Sequence, residues 1–313
     1  MTDGGSASRT SERDARQLAR QKAKELRDAQ RKKDRRNRWL LQGGIVVVVI
    51  AIIAGVAFVV ASAIRPPSRG PANMAADGIV IGQDLKVVES PSLAAGAEPI
   101  ATKTDPSVPN IRVYLDYMCP HCGEFELENG KQLSEWAKTG RVTVEFHPIA
   151  ALTAKSAGTQ YSLRAANAAA CVANYSPDSF FAFNAAMFED QPEEGTAGRT
   201  DDQIVEVVKD ANADRVSAIT SCIDEQKYKA WVQGATDRAL SDPVPNSDLD
   251  RIQRTPTILV NDKQYAGSIT DKKEFQAFVL SVASETFTEA TTPGPTDTPA
   301  PTDAPATTES PSP

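Results

Sequence analysis

Apolar and polar positions divide this chain into a charged start, one long apolar run, a region of strand and helix patterns, and a polar end. No residue from 39 to 64 is charged and most are apolar. A run of this length spans a bilayer as a helix, so one transmembrane helix is predicted over 39–64. Residues 65–77 contain three prolines and predict a short stalk. The Pro/Thr-rich residues 289–313 cannot form a core and predict a disordered tail.

A strand–helix–strand pattern follows the stalk. Gly78 to Gly82 is a short apolar run that predicts a first strand. Ile111 to Tyr117 alternates apolar and polar side chains, which is typical of a half-buried strand. Gly123 to Lys138 contains no proline and predicts a helix that begins near Cys119, and 142–146 predicts the next strand. The side chains that this helix is predicted to bury are Phe125, Leu133 and Trp136.

Ala-rich and amphipathic segments replace the strand patterns from about 154 to 249 and predict a helical insert. The predicted helices are Gln160 to Ala173, Ser179 to Phe188, Thr200 to Ala211, Ala213 to Glu225 and Tyr228 to Leu240. Ser179 and Thr200 are candidate N-caps. After Pro256 the strand pattern returns as a hairpin, and a final helix begins near Asp271 and buries Phe275, Phe278 and Val279.

Charge is divided unevenly along the 313 residues. Residues 1–38 contain 13 Lys/Arg and 6 Asp/Glu, a net charge of +7, so the remaining residues carry −14 of the total of −7. The positive-inside rule places this basic segment in the cytoplasm and the C-terminal bulk outside. A cleaved signal peptide ending at Ala61-Ser62-Ala63 is the alternative, but the long apolar run favours a retained anchor. The mixed charges indicate a topology signal and not a nucleic-acid-binding segment.

Two cysteines are separated by two residues at the predicted strand–helix junction. Cys119-Pro120-His121-Cys122 forms a dithiol that can open and close as a disulfide. Unpaired backbone N–H groups and the helix dipole stabilise an anion at the start of a helix. Cys119 is therefore a candidate thiolate nucleophile.

The chain resembles DsbA-like thiol:disulfide oxidoreductases of the thioredoxin superfamily, closest to the membrane-anchored actinobacterial kind. The resemblance rests on the strand–CPHC–helix order and on Arg254-Thr255-Pro256-Thr257 before a later apolar strand. It implies an α/β thioredoxin-like fold over 78–288 with the inserted helical domain, preceded by the transmembrane helix.

The resemblance also implies roles for individual residues. Cys119 would be the nucleophile and Cys122 the resolving thiol, and Pro120 belongs to the Pro-His dipeptide typical of the family. His121 would donate a hydrogen bond to the Cys119 sulfur or place positive charge near it. Thr255-Pro256 would form a cis-proline loop opposite the cysteines. Three acidic residues lie in the first turns of the predicted helix, and their negative charge is expected to oppose formation of the thiolate: Glu124, Glu126 and Glu128.

Three further candidates concern acid–base chemistry and metal binding. Glu145 is a candidate proton-relay carboxylate near Cys122, with Asp116 as the weaker alternative. His147 is interpreted as a packing or structurally hydrogen-bonded residue. A zinc site from Cys119, Cys122, His121 and His147 is disfavoured, because His121 lies between the two cysteines and there is no second CxxC.

The remaining cysteines, Cys171 and Cys222, lie in the helical insert. Outside the cytoplasm an even number of cysteines argues for two disulfides. Once Cys119 and Cys122 are paired as the redox couple, Cys171 and Cys222 are predicted to form a structural bridge.

The predicted protein is a single-pass cell-membrane enzyme with a cytoplasmic N-terminus and an extracytoplasmic catalytic domain. It would oxidise cysteine pairs in unfolded exported proteins and pass the electrons to a DsbB-like or vitamin-K-epoxide-reductase-like membrane partner, with no metal or organic cofactor. A disulfide reductase or isomerase using the same dithiol is the nearest alternative. A non-catalytic extracytoplasmic binding module, with CPHC as a plain disulfide, is the alternative from another class.

Overall fold

The computed structural model describes residues 69–103, 105 and 107–291, and it describes side chains as far as residue 285. Its strands are β1 Ile79–Ile81, β2 Asn110–Leu115, β3 Thr143–Pro148, β4 Thr257–Val260 and β5 Lys263–Gln264. Its α-helices are α1 Pro120–Lys138, α2 Tyr161–Tyr175, α3 Phe180–Phe188, α4 Asp201–Asp210, α5 Val216–Asp224, α6 Lys229–Ser241 and α7 Lys272–Thr291.

The five strands form one sheet in the order β1-β3-β2-β4-β5. Strand β2 pairs with β3 in parallel, and α1 connects them. The other pairings, β1 with β3, β2 with β4 and β4 with β5, are antiparallel. The parallel strands β2 and β3 therefore end side by side near the start of α1, where Cys119 and Cys122 lie.

Strand β2 is buried along its whole length, so the prediction that it is half-buried was wrong. Ile111, Val113 and Leu115 face the main hydrophobic core. Tyr114, on the other face, belongs to a second apolar cluster with Val244 and Ile252. Val244 and Ile252 belong to the irregular segment after α6. The alternation of residues in β2 contains no signal that this segment covers the polar face of the strand.

Helices α2 to α6 form the predicted insert between β3 and β4. Thr200 caps α4 as expected: its hydroxyl accepts from the Gln203 N–H, and the Gln203 side chain accepts from the Thr200 N–H. Ser179 makes no side-chain capping bond to α3. The Cys171–Cys222 disulfide joins α2 to α5, with the two Cα atoms 5.9 Å apart.

Part of the predicted stalk belongs to the folded domain. Within residues 70–77, the Asn73 side chain donates to the Ala173 carbonyl at 2.9 Å. Asp77 forms two hydrogen bonds with the Arg238 guanidinium, at 2.7 and 2.8 Å. The three prolines of residues 65–77 indicated an exposed spacer, but these contacts attach residues 70–77 to the insert.

Among the residues that the structure describes, no helix is both long enough and apolar enough to cross a membrane. The predicted basic segment over 1–38 and transmembrane helix over 39–64 lie outside the described residues. The same holds for residues 292–313 of the predicted tail, whereas residues 289–291 are the last of helix α7.

Candidate active site

The candidate nucleophile lies at the junction of β2 and α1. Cys119 is the N-cap of α1, and Pro120 is the first residue of the helix, where a missing N–H costs no helical hydrogen bond. The Cys119 carbonyl accepts from the Cys122 N–H at 3.0 Å, which begins the helix. The sequence prediction of a dithiol at a helix N-terminus is therefore correct in its geometry.

The pKa of Cys119 is lowered from 9.0 to about 6. The largest cause is a hydrogen bond from the Cys122 thiol, which stabilises the Cys119 thiolate, and burial opposes it. A hydrogen bond from the Thr255 side chain and one from the Cys122 backbone lower the pKa further. Cys119 thus combines a stabilised thiolate with an exposed fraction of only 5%.

Cys122 has the opposite character. Its exposed fraction is 2%, and both thiols are unbridged in this structure. Burial is the largest cause that raises the pKa of Cys122 well above its ordinary value, and its hydrogen bond to Cys119 raises it further. The two sulfur atoms therefore differ strongly in charge at neutral pH: Cys119 is largely a thiolate and Cys122 is a thiol.

The Thr255–Pro256 peptide bond is cis, as the family resemblance implied. In the protonated state, the Cys119 thiol donates to the Thr255 carbonyl at 3.2 Å. The loop before β4 therefore lies directly against Cys119, although 136 residues separate the two positions. This contact explains why a residue predicted to be accessible at the helix end is nearly covered.

His121 does not make the predicted hydrogen bond to Cys119. Its side chain is 68% exposed, and Nδ1 lies 2.9 Å from a carboxylate oxygen of Glu124. This hydrogen bond is the largest cause that raises the pKa of His121, and attraction to the Cys119 thiolate adds to it. His121 thus interacts with the Cys119 thiolate through its positive charge, while its ring is hydrogen-bonded to Glu124.

The buried carboxylate near the thiols is Asp116 and not Glu145. Asp116 is fully buried, and its charge raises the pKa of both Cys119 and Cys122. Burial is the largest cause that raises the pKa of Asp116. Hydrogen bonds to its carboxylate act in the opposite direction, and they include those from the Ser162 hydroxyl at 2.5 Å and the Leu152 N–H at 2.8 Å. The Asp116 backbone N–H, and not its carboxyl group, contacts the Cys122 sulfur at 3.5 Å.

Glu145 belongs to a separate buried cluster on the second face of the sheet. Its carboxylate lies 3.0 Å from His147 Nε2 and 3.7 Å from Arg112 Nε, and Thr102 donates to it at 2.7 Å. Burial opposes its ionisation, but these partners lower the pKa of Glu145. His147 also stacks on Tyr114 at 4.3 Å, so its interpretation as a packed, hydrogen-bonded residue is confirmed.

The helix glutamates do not oppose the thiolate as expected. Glu126 is buried, and burial raises its pKa to about 7, so it is only partly charged at neutral pH. Glu124 is paired with His121, and Glu128 lies 3.4 Å from the Lys272 ammonium. Glu126 instead contacts the insert, since the Asn184 amide donates to it at 3.3 Å.

Gln191 is a site residue that the sequence reasoning missed. Its side-chain amide donates to the carbonyls of Tyr117 and Cys119, at 3.0 and 2.9 Å. A side chain at position 123 would clash with Gln191, because its Cβ would lie only 2.2 Å from the Gln191 amide oxygen. Gly123 therefore leaves room for the Gln191 side chain. A single glutamine in a loop about 70 residues downstream gives no sequence signal for this contact.

The zinc alternative finds no support in the positions of its residues. His121 is held by Glu124 next to the thiols, whereas His147 is bonded to Glu145 on the second face of the sheet. Within residues 69–103, 105 and 107–291, no three His, Cys, Asp or Glu residues are grouped as a metal site requires.

Comparison with known proteins gives one family match and several structural matches. The family described as "Thioredoxin" matches residues 105–279, which is over half of the chain. No curated protein matches the sequence.

The structural matches include two mycobacterial proteins. Oxidised DsbA from Mycobacterium tuberculosis is 25% identical, with a TM-score of 0.50 over 68% of this chain and 100% of that one. Reduced DsbG from the same organism is 28% identical, with a TM-score of 0.48 over 59% of this chain and 86% of that one. MdbA, a thiol-disulfide oxidoreductase from Corynebacterium diphtheriae, is 16% identical, with a TM-score of 0.45 over 68% and 95%.

Proposed function

This chain belongs to the thioredoxin family and is a thiol-disulfide oxidoreductase of the DsbA-like type, and we propose that it acts as an oxidase. The observation that carries the direction is the asymmetry of the two thiols. The pKa of Cys119 falls to about 6, whereas that of Cys122 rises. A stabilised thiolate favours the reduced form, which makes the disulfide the stronger oxidant.

The proposed reaction transfers two electrons from a substrate dithiol to the enzyme disulfide. A substrate thiolate attacks the Cys119 sulfur, the Cys119–Cys122 bond breaks, and Cys122 leaves and takes up a proton. The second substrate thiolate then attacks the substrate sulfur of the mixed disulfide and releases Cys119 as a thiolate. The substrate gains one disulfide, and Cys119 and Cys122 hold the two electrons.

The chemical difference between the two cysteines fits this sequence of steps. Cys119 is the better leaving group in the second step because its thiolate is stabilised. Both thiols are nearly covered, with exposed fractions of 5% for Cys119 and 2% for Cys122, and the attack is assigned to Cys119 because it is the N-cap residue whereas Cys122 lies within α1. Thr255, whose carbonyl contacts Cys119, would lie beside the bound substrate segment.

The proposed setting is extracytoplasmic. The basic residues 1–38 and the uncharged residues 39–64 support a membrane anchor with a cytoplasmic N-terminus. The substrates would be unfolded exported proteins with pairs of cysteines. An oxidase must be reoxidised after each cycle, and a membrane partner of the DsbB or vitamin-K-epoxide-reductase-like type would take the two electrons.

The reduction potential of the Cys119–Cys122 couple tests the direction. The full chain is equilibrated in glutathione redox buffers, and the reduced fraction is measured by thiol trapping. A value near about −120 mV, as for DsbA, supports the oxidase, and a value near about −270 mV, as for thioredoxin, would assign a reductase. Cys119→Ser is expected to abolish oxidation of a reduced substrate, and full activity in that variant would rule out catalysis by this site.

A further inference from the structure

A basic pocket lies beside the cis-proline loop. The cavity has a volume of about 270 Å³ and is lined by Leu249, Arg251, Gln253, Arg254, Thr257 and Gln264. None of the described residues that line it is acidic, whereas the chain beyond residue 38 carries a net charge of −14. The pocket therefore has two arginines and a local positive charge, although the chain around it is acidic.

The two arginines of the pocket have no carboxylate partner within the described part of the chain. Other arginines there are paired: Arg164 lies 2.6 Å from Asp201, and Arg238 lies 2.7 Å from Asp77. Arg251 and Arg254 are exposed and form no such ion pair. The nearest acidic residues in sequence, Asp248 and Asp250, are exposed but do not line the cavity.

The pocket is fixed close to the reacting sulfur. Arg254 directly precedes Thr255, whose carbonyl accepts from the Cys119 thiol at 3.2 Å. The Arg254 carbonyl accepts from the Thr257 hydroxyl at 2.7 Å, which holds the backbone of this loop. An extended peptide advances about 3.3 Å per residue, so a residue two or three positions from a cysteine bound at Cys119 comes within reach of the pocket.

We propose that Arg251 and Arg254 form a subsite for a carboxylate side chain of the substrate. The preferred substrates are segments with Asp or Glu two or three residues from the cysteine that attacks Cys119. This inference rests on the proposed function and adds the substrate class. Guanidinium groups match carboxylates because they can donate two parallel hydrogen bonds, and the amides of Gln253 and Gln264 offer further donors.

The expected preference is moderate because the guanidinium groups are exposed. An exposed ion pair contributes at most about fivefold to an equilibrium constant, and salt screens it. We therefore expect an acidic peptide to be oxidised about fivefold more efficiently, in kcat/KM, than its neutral counterpart. The difference is expected in KM and not in kcat, because the contact is the same before and during thiol exchange.

Matched peptides test this subsite. Three dithiol peptides differ only at the position three residues from the first cysteine, which is Asp, Asn or Lys, and their oxidation by the oxidised full chain is followed at low and high salt. The variant is Arg251→Gln with Arg254→Gln. The control, Lys138→Gln with Arg141→Gln, removes the same charge at the far end of the 19-residue α1, about 28 Å along the helix from Cys119.

The expected order for the wild type and the control variant is Asp above Asn above Lys, with the differences reduced at high salt. The arginine variant is expected to oxidise all three peptides at the rate of the Asn peptide. Equal rates for the three wild-type reactions would overturn the subsite and leave the oxidase intact, and so would a preference that the arginine variant retains. If no peptide is oxidised by the wild type, the proposed function itself fails.

Discussion

The lowered pKa of Cys119 makes the reduction potential depend on pH in a way that can be calculated. With a pKa of about 6, roughly nine-tenths of Cys119 is thiolate at pH 7, against about 1% for an ordinary value of 9.0. The corresponding free-energy difference is about 1.4 kcal/mol at pH 7 in favour of the reduced form. For a two-electron couple this raises the potential by about 30 mV relative to a pair of ordinary thiols.

The sign follows from linkage. Cys119 has a lower pKa in the folded, reduced protein than in the unfolded chain, so its contribution to stability is complete above about pH 9 and is lost as the pH falls through 6. In the oxidised protein Cys119 is part of a disulfide and does not titrate, so it makes no pH-dependent contribution to stability. Reduction takes up two protons below pH 6 but only one above it, because Cys122 stays protonated.

A plot of potential against pH should therefore bend near pH 6. We expect a slope of about −59 mV per pH unit below the bend and about −30 mV above it. The assay equilibrates the protein in glutathione buffers from pH 4.5 to 8.5 and counts trapped thiols after denaturation. A line without a bend, at about −59 mV per unit through pH 8, would refute the stabilised thiolate and with it the main argument for an oxidase.

Two further predictions concern stability and are checked by chemical denaturation. Replacing both Cys171 and Cys222 by Ala should lower the free energy of unfolding by about 4 kcal/mol, because the disulfide closes a loop of 51 residues. The oxidation rate at 25 °C should not change. Lost activity with unchanged stability would contradict the structural role of this disulfide. Burial raises the pKa of Glu126 from 4.5 to about 7, so stability falls as the pH rises through this window. Glu126→Gln should be about 3 kcal/mol more stable than the wild type at pH 8 and equal to it at pH 4, and a difference that does not change with pH would exclude the buried carboxyl as its cause.

Features encoded within a few neighbouring residues could be predicted from the sequence. The alternation along 111–117 predicted the position of β2, and the CPHC spacing predicted the dithiol, whereas the cis bond at Thr255-Pro256 was implied by the family resemblance. The two insert cysteines also pair as expected. Each of these depends on local geometry, or on a count of four cysteines that leaves few combinations.

The choice of the buried acid could not be made in this way. Asp116 directly follows one apolar strand pattern and Glu145 lies within the next, and only the packed structure shows which one lies near the thiols. Glu145 was favoured but faces the cluster of Arg112 and His147, which the irregular segment after α6 covers. The second face of the sheet is covered by a loop that has no periodic pattern of apolar residues. The strand pattern therefore could not predict that this face is buried.

The active site is assembled across long stretches of chain, and this makes the helical insert part of its chemistry. Gln191 follows α3 of the insert, yet its amide donates to the carbonyls on both sides of Met118, just before the helix that carries the thiols. Thr255 reaches Cys119 from the other end of the insert. Gln191 fixes the backbone on both sides of Met118, and Thr255 contacts the Cys119 sulfur itself, so the insert does more than cover the core. It holds the cysteine in the position where the start of α1 and the Thr255 loop stabilise its thiolate, which is the property on which the proposed direction of electron transfer depends.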